Sequence, residues 1–265
     1  LHFENTQKSL YDIVIFDIKN QQIAKRIPLH KTGPNGLPAI FGSRPSLGSQ
    51  YILVAQNNIS RISSINDKGE VIRNYKFQTP ESQFTSLHLG SYYNTPSFVK
   101  DSCLFLKIGI PKPNMKREDW PQTHMFASLD LRTGEVKWVP IFYPPIFKEE
   151  YENIDGGYGF SYDYNYKENR LVCGFFGYDS LMVTDDLKHI RWYNAKSKYL
   201  KSMKPKLGNA MAGINSIIEF CETPKYWHIM YDKYRDVYYR FAEMPYKLAP
   251  NESPYDCLLY TSPSP

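Results

Sequence analysis

The sequence lacks the motifs of several large enzyme classes. Gly-x-Ser-x-Gly, which presents a serine nucleophile on a strand-to-helix turn, does not occur in the 265 residues. A phosphate-binding glycine loop and His-Glu-x-x-His are also missing, and the six histidines have no metal-ligand spacing. We therefore assign no catalytic residue, no metal ligand and no cofactor from motifs.

Cysteine is scarce, and the charge imbalance is small. Cys103 and Cys173 lie in apolar runs and are widely separated from Cys221, which argues against a disulfide scaffold or a zinc knuckle. We expect buried free thiols there, with a redox or metal role as the alternative. The formal charge of +5 gives no indication of a nucleic-acid partner, because basic residues mostly alternate with acidic ones.

A helical period of apolar residues is missing as well. The best candidate, residues 199–218, is interrupted by Pro205, Gly208 and Gly213. The chain instead repeats an alternating strand, a polar turn and a second alternating strand, which is the pattern of a β-hairpin. The copies read DIVIFDIKNQQIAKRIPL, SRISSINDKGEVIRNYKF, HMFASLDLRTGEVKWVPIF and DSLMVTDDLKHIRWYN.

A second type of hairpin precedes these copies. GFSYDYNYKENRLVCGFF and WHIMYDKYRDVYYRFAEM are the clearest examples, and GSYYNTPSFVKDSCLFLKIG has the same shape. Together the two hairpins give four strands per unit, repeated every roughly 45 to 65 residues, as in propeller blades. The predicted fold is therefore all-β: a β-propeller of four-stranded antiparallel blades.

The repeat also predicts blade boundaries within one domain, residues 1–256. Complete blades are expected at 38–77, 88–142 and 159–194, and partial blades at 11–29 and 213–244. These add up to about four blades, whereas the complete ring is expected to have about six. We therefore predict an incomplete ring.

Two stretches carry a family resemblance. YDKYRDVYYRF at 231–241 and GYGFSYDYN at 157–165 resemble the TolB-like six-bladed propeller lipoproteins of unknown function from Bacteroidales-type bacteria. The resemblance implies a six-bladed ring and a lipid anchor on an N-terminal cysteine. It further implies a location in the periplasm or on the outer membrane surface, and it supplies no catalytic residue.

The two ends of the sequence look unlike natural termini. Back-translated, Cys257–Pro265 resembles the adapter that a transposase adds to DNA before sequencing. We interpret these residues as a non-native tail, with a disordered Ser/Pro tail as the alternative. Because the chain opens on Leu1, we expect it to be part of a longer gene product, with any signal peptide or lipid anchor outside it.

The long loop at 109–124 is the main candidate for a binding site. In the predicted topology it lies on the same ring face as the connections between blades, and long ordered loops are often functional. Trp120 beside several charged residues is a combination enriched where proteins bind partners. The alternative is that Trp120 packs on its own blade. The candidate contacts in this loop are Lys116, Arg117, Glu118, Asp119 and Trp120.

Weaker candidates lie in three further places. An acidic loop could bind calcium, although the regular ligand spacing is missing, and a basic loop could bind a partner or an anionic glycan. Two aspartates that follow tyrosine at equivalent positions of the repeat could line a shared site. The alternative is that each accepts hydrogen bonds from its own hairpin turn. These candidates are Glu149, Glu150, Glu152 and Asp155 in the acidic loop, Lys198 and Lys201 in the basic loop, and Asp163 and Asp232.

The sequence favours a non-enzymatic binding propeller of the bacterial envelope that recognises a protein or glycan through its loop face. The first alternative is a glycan hydrolase or lyase with carboxylates near the ring centre, about 5 to 10 Å apart. The second alternative is a purely structural scaffold. No nucleic-acid partner is expected.

Overall fold

The computed structural model describes most of the chain in segments. These are residues 2–7, 10–33, 36–37, 40–45, 51–55, 61–76, 87–88, 94–108, 122–144, 159–200, 218 and 222–247. The chain divides into two compact units, the first made of residues 1–112 and 125–139 and the second of residues 113–124 and 140–265.

The described residues are almost entirely strand and turn, and every strand pair is antiparallel. The strands of the first unit are β1 (His2–Gln7), β2 (Leu10–Asp17), β3 (Gln22–His30), β4 (Ile40–Pro45), β5 (Tyr51–Ala55), β6 (Arg61–Ile65), β7 (Val71–Lys76), β8 (Leu87–His88), β9 (Phe98–Lys100), β10 (Cys103–Ile108), β11 (Phe126–Asp130) and β12 (Val136–Trp138). Those of the second unit are β13 (Phe160–Asn165), β14 (Arg170–Phe175), β15 (Ser180–Thr184), β16 (Arg191–Asn194), β17 (Lys225–Asp232) and β18 (Val237–Glu243).

The first unit contains three sheets, each built from strands that follow one another in the chain. The first sheet has the order β1-β2-β3 and the second β4-β5-β6-β7. The third has the order β12-β11-β10-β8, with β9 also paired to β10. The second unit contains the four-stranded sheet β13-β14-β15-β16 and the hairpin β17-β18.

The hairpins expected from the repeat are confirmed. The pairs β2–β3, β6–β7, β11–β12, β13–β14, β15–β16 and β17–β18 are all antiparallel neighbours. Strand β1 was not predicted, because His2–Gln7 contains a single large apolar residue and therefore shows no alternation. The four-stranded antiparallel sheets are present, whereas ring closure and the number of blades stay predictions.

The turns of six hairpins share one pattern of side-chain to backbone hydrogen bonds. An aspartate or asparagine at the end of the first strand accepts hydrogen bonds from the backbone N–H two residues later and from a second N–H three or four residues later. In Asp17 and Asp130 these N–H donors are the main cause that lowers the carboxyl pKa. The acceptors are Asp17, Asn66, Asp130, Asn165, Asp186 and Asp232.

The sheets of the first unit stack through apolar faces. Ile13, Ile27 and Leu29 of the first sheet form a buried cluster with Ile65 of the second sheet. The second sheet contributes Ile62 and Tyr75 to another cluster, which contains the third-sheet residues Leu104, Leu106 and Leu129. This sheet-on-sheet burial is the main stabilising contribution that the unit shows, because each sheet alone would leave an apolar face in water.

Polar contacts fix the alignment of these sheets. The Lys25 ammonium of β3 lies 2.9 Å from the Asp67 carboxylate in the β6–β7 turn. Between the second and third sheets, the Arg73 guanidinium and the Tyr75 hydroxyl donate to the Leu131 carbonyl over 3.0 and 2.9 Å. Since these contacts join turns and outer strands, they determine which residues face each other at the sheet margins.

Two glycines in similar turns allow the packing of the β6–β7 turn to be tested. Gly69 and Gly134 both have a φ of +85°, but a Cβ on Gly69 would lie 2.2 Å from the Pro28 carbonyl oxygen of β3. A Cβ on Gly134 would meet no atom within 4 Å. We expect Gly134→Ala to lower the free energy of unfolding by about 1 to 2 kcal/mol through backbone strain alone. Gly69→Ala should lower it by about 3 to 5 kcal/mol, because the first sheet must also move.

Urea unfolding of the two variants, followed by circular dichroism, measures this difference. Equal losses of stability in Gly69→Ala and Gly134→Ala would contradict the close approach of the turn to β3.

Candidate functional site

Most of the candidate residues from the sequence lie outside the described residues. These are Lys116, Arg117, Glu118, Asp119 and Trp120 of the long loop, Glu149, Glu150, Glu152 and Asp155 of the acidic loop, and Lys201 of the basic loop. Asp163, Lys198 and Asp232 are described, and all three belong to the second unit.

Asp232 is a turn residue of the β17–β18 hairpin. Its carboxylate accepts hydrogen bonds from the backbone N–H of Tyr234 and Arg235 over 2.9 and 3.2 Å. The Arg235 guanidinium also donates to it over 2.8 Å. The Arg235 hydrogen bond is the main cause that lowers the pKa of Asp232, followed by the Tyr234 N–H. The carboxylate is thus held ionised within its own turn.

Asp163 has a different position and a different role. One carboxylate oxygen accepts a hydrogen bond from the backbone N–H of Tyr164, next to it in β13, over 2.8 Å. The other accepts from the backbone N–H of Tyr231 in β17, also over 2.8 Å. Nearby, the Ser161 hydroxyl accepts from the backbone N–H of Ile229 over 3.0 Å. Side chains of β13 therefore satisfy backbone donors of the neighbouring hairpin, which a strand edge would otherwise leave unpaired.

The structure corrects the equivalence drawn between the two aspartates. Asn165 occupies in the β13–β14 turn the place that Asp232 occupies in the β17–β18 turn, since both accept the N–H groups two and three residues later. The residues four positions after them, Asn169 and Asp236, both have positive φ. Asp163 lies two residues earlier, inside the strand, so the Tyr-Asp pattern is out of register by two.

Arg240 makes several hydrogen bonds to neighbouring backbone in this region, and the sequence did not single it out. Its guanidinium lies 3.3 Å from the centre of the Tyr226 ring. It donates to the backbone carbonyls of Asp179, Ala195 and Phe175 over 2.6, 3.2 and 3.2 Å, and also to that of Tyr178. Burial lowers the pKa of Arg240 to about 10, still well above neutrality.

Tyr226 extends this network to the segment after β16. Its hydroxyl donates to the Asp179 carboxylate over 2.8 Å and accepts from the backbone N–H of Ser197 over 2.8 Å. Tyr226 is buried and forms a small apolar cluster with Leu200. The β17–β18 hairpin thereby holds the end of β16 and the residues up to Leu200 in a defined conformation.

The segment held in this way carries an exposed surface, which we call the basic–aromatic surface. It consists of Lys196, Lys198 and Tyr199, which follow β16, and Tyr199 is exposed by 67%. Trp192 and Tyr193, exposed by 43% and 50%, precede it in β16 and point to opposite faces of the sheet, because Trp192 is paired with Met182 and Tyr193 with Leu181. Both lysines are exposed as well, and the Lys198 ammonium lies 4.9 Å from the centre of the Tyr199 ring.

The thiols and the half-buried histidine show no sign of activation. Cys103 and Cys173 are free cysteines, and Cys173 is fully buried. Burial, and then the charge of Asp130, raise the pKa of Cys103 and so disfavour the reactive thiolate. The His228 ring lies between those of Trp227 and Phe241, and burial lowers its pKa. Cys221 and Cys257 lie outside the described residues.

Two further features are absent from the part of the chain that the structure describes. Within it, no group of three or more His, Cys, Asp or Glu side chains has the geometry to hold a metal ion. No helix there is both long and apolar enough to cross a membrane.

Comparisons with known proteins give a family without an assigned activity. The family model described as "Domain of unknown function (DUF4221)" matches residues 1–259. No curated protein matches the chain in sequence. The crystal structure of a DUF4221 family member from Bacteroides vulgatus ATCC 8482 has 82% sequence identity and a TM-score of 0.84, and the match covers 96% of this chain and 70% of that chain.

Two other solved structures show only weak similarity. Hsv2 from Kluyveromyces marxianus has 6% identity and a TM-score of 0.34, over 91% of this chain and 93% of its own. BamB from Moraxella catarrhalis has 11% identity and a TM-score of 0.25, over 72% and 75%. These scores are too low to support an argument about fold or function, and the TolB-like resemblance stays a prediction.

The role of Asp163 in docking the β17–β18 hairpin can be tested directly. We expect Asp163→Ala to lower the free energy of unfolding by about 2 to 3 kcal/mol, because it removes a charged acceptor of two backbone donors. The amide of Tyr231 should exchange faster with solvent, as measured by hydrogen exchange of peptides from 225–243. Glu135→Ala, which changes an exposed carboxylate of the first unit, is the control. Unchanged exchange at Tyr231 would contradict the assigned role.

Proposed function

The chain belongs to the DUF4221 family, whose description names no activity, and we propose that it is a non-enzymatic binding domain that recognises a protein or glycan. The basic–aromatic surface is the part of the described structure that supports this function. Exposed aromatic side chains beside charged groups are enriched at binding surfaces, because they offer a large contact area at low conformational cost.

The hydrogen bonds that hold the backbone of the surface are the observation that carries the proposal. They bind Ala195 and Ser197 to Arg240 and Tyr226 of the β17–β18 hairpin. A surface ordered before the ligand arrives loses less conformational entropy on binding, so its contacts contribute more fully to affinity.

The two carboxylates named from the sequence that lie within the described residues do not support the enzymatic alternative. Asp163 binds backbone donors of two strands, and Asp232 binds its own turn and Arg235. A general acid or nucleophile has to face the substrate, and a pair of such groups is required for glycoside hydrolysis. Both carboxylates instead have a structural role in the described region.

We further propose that the sheets are blades of a six-bladed propeller carried by a lipoprotein of the bacterial envelope. The consecutive antiparallel sheets and the hairpin repeat support the propeller. The resemblance to exported propellers supports the envelope location, and the 82% identical relative from Bacteroides vulgatus supports a bacterial source. On this proposal the basic–aromatic surface and the long loop at 109–124 would both be available to extracytoplasmic ligands.

The binding function can be tested with two fractions of Bacteroides vulgatus cells, the soluble polysaccharides and the solubilised envelope proteins. Each fraction is titrated onto immobilised protein and onto the double variant Lys198→Ala/Tyr199→Ala. We expect at least one fraction to bind, with binding weakened about tenfold or more in the double variant, because both side chains are exposed and lie together. Lys233→Ala/Tyr234→Ala is the matched control, since Tyr234 is 87% exposed and lies beside Lys233 in the β17–β18 turn.

The same samples distinguish the alternatives. Release of new reducing ends from the polysaccharide fraction would overturn the non-enzymatic assignment. Binding of neither fraction, or equal binding by the wild type and the double variant, would contradict the role of the basic–aromatic surface.

A further inference from the structure

We propose that the β17–β18 hairpin is a docking site for further strands of its own family chain, which pair with the open edge of β18 and cover its exposed apolar face. This inference concerns the assembly of the fold, so it goes beyond the proposed binding function and does not depend on it. The neighbouring sheet, the exposed face, the open edge and the length of a solved relative support it.

The neighbouring sheet β13–β16 shows how such a hairpin is covered. Ile229 of β17 packs in one cluster with Val172 of β14, and a Cβ on Gly174 would lie 2.8 Å from the Ile229 side chain. On the same face Asp163 accepts the hydrogen bond from the Tyr231 N–H. Strand β14 also has a partner on both edges, β13 and β15. The β13–β14 hairpin is therefore covered on this face and extended at its edge.

The turns give the register between the two hairpins. Asn165 and Asp232 occupy the same place in their turns, since each accepts the N–H groups two and three residues later. Counting from these residues along the paired strands gives the positions of β17–β18 that correspond to the covered face of β13–β14. The equivalent positions are Asp163 and Met230, Val172 and Tyr239, and Gly174 and Phe241.

The corresponding face of the β17–β18 hairpin is apolar and exposed. Val172 is only 3% exposed, whereas Tyr239 at the equivalent position is 39% exposed. Met230 and Phe241 are 47% exposed, and Val237, two residues before Tyr239 on the same face, is 40% exposed. Burial of such apolar area stabilises a protein, and contiguous exposed apolar residues mark interaction surfaces. The face is therefore suited to packing against another sheet.

The edge of β18 lacks the usual protection against pairing. Among the described strands β18 pairs with β17 alone, whereas its counterpart β14 has a neighbour on each side. Lysine and proline commonly protect edge strands, and β18, VYYRFAE, contains neither. Its two charged side chains are engaged within the unit, Arg240 by backbone carbonyls and Glu243 by the buried Lys225. The edge can therefore accept another strand by backbone hydrogen bonds.

The length of a solved relative favours strands of the same chain as the occupant. The match to the Bacteroides vulgatus structure covers 96% of this chain but 70% of that chain, so nearly a third of the relative lies outside the match. A complete four-stranded sheet here needs only residues 160–194, so the unmatched part is long enough to extend the β17–β18 sheet and to cover its face. Strands of the same chain also lose less translational entropy on docking than a second copy does, because they are already attached.

The open edge is tested by comparing this chain with a chimaera, in which residues 1–256 of this chain replace the matched part of the Bacteroides vulgatus relative. Hydrogen exchange is measured for peptides that cover β18, residues 237–243. We expect these amides to exchange about tenfold or more slowly in the chimaera, because the added strands protect their N–H groups. Peptides from β6–β7, residues 61–76, belong to a sheet that is already four-stranded and should exchange alike in both proteins.

The exposed face is tested with the double variant Tyr239→Thr/Phe241→Thr in both proteins. It should lower the melting temperature about twice as far or more in the chimaera as in this chain, because the two rings are buried only where the added strands cover them. Ile72→Thr/Tyr193→Thr is the matched control. Both of these side chains are 50% exposed, on the last strands of four-stranded sheets, so the control should have the same effect in both proteins.

Three outcomes would overturn the docking of further strands. The first is equal exchange of residues 237–243 in the two proteins, and the second is an equal effect of Tyr239→Thr/Phe241→Thr in both. The third is a dimer of both proteins, detected by light scattering and dissociated by that double variant, which would assign the face to a second copy. Binding of cell fractions to the basic–aromatic surface is measured separately, so the failure of one proposal leaves the other intact.

Discussion

The guanidinium of Arg240 is the contact on which the exposed part of the second unit depends. Removing a charged group from water is costly unless hydrogen bonds replace its hydration. Four backbone carbonyls and the Tyr226 ring replace that of the two terminal nitrogens, whereas Nε has no hydrogen-bond partner among the described residues. The carbonyls come from the end of β14, the β14–β15 connection and the residue after β16. One side chain of β18 therefore joins three segments of the neighbouring sheet, and the basic–aromatic surface is ordered because these segments are.

Much of the fold could be predicted from the sequence because its information is local. Alternating apolar residues and the Asn, Asp or Gly at each turn determine a hairpin within about twenty residues, and six such hairpins were predicted correctly. The limit of this reasoning is shown by β1, where the pairing with β2 provides the strand and the sequence pattern does not. Packing between sheets also cannot be predicted from such local patterns, because Ile65 and Leu29 belong to one buried cluster although they are distant in the chain.

The site was harder to predict for a related reason. Asp163 was recognised as unusual, but comparison with Asp232 assigned it to the wrong register, because a Tyr-Asp pair recurs in two different structural positions. Arg240 gave a weaker signal. It is a charged residue on the same face of β18 as Tyr238 and opposite Ile229 of β17, and both of these are packed against the neighbouring sheet. Its partners are backbone carbonyls, which every residue has, so the sequence does not show which residues Arg240 contacts. Exposure, which distinguishes Tyr199 from buried tyrosines such as Tyr162, depends on the folded chain alone.

The contrast between Gly69 and Gly134 has a consequence for the substitutions that each turn can accept. The two turns have nearly the same sequence, yet their surroundings impose different restrictions. Asparagine and aspartate tolerate the left-handed conformation, so the open turn at Gly134 can accept them at little cost. The turn at Gly69 cannot, since any side chain would meet the Pro28 carbonyl. Tolerance of mutation in this repeat is therefore determined by the adjacent strand as well as by the turn itself.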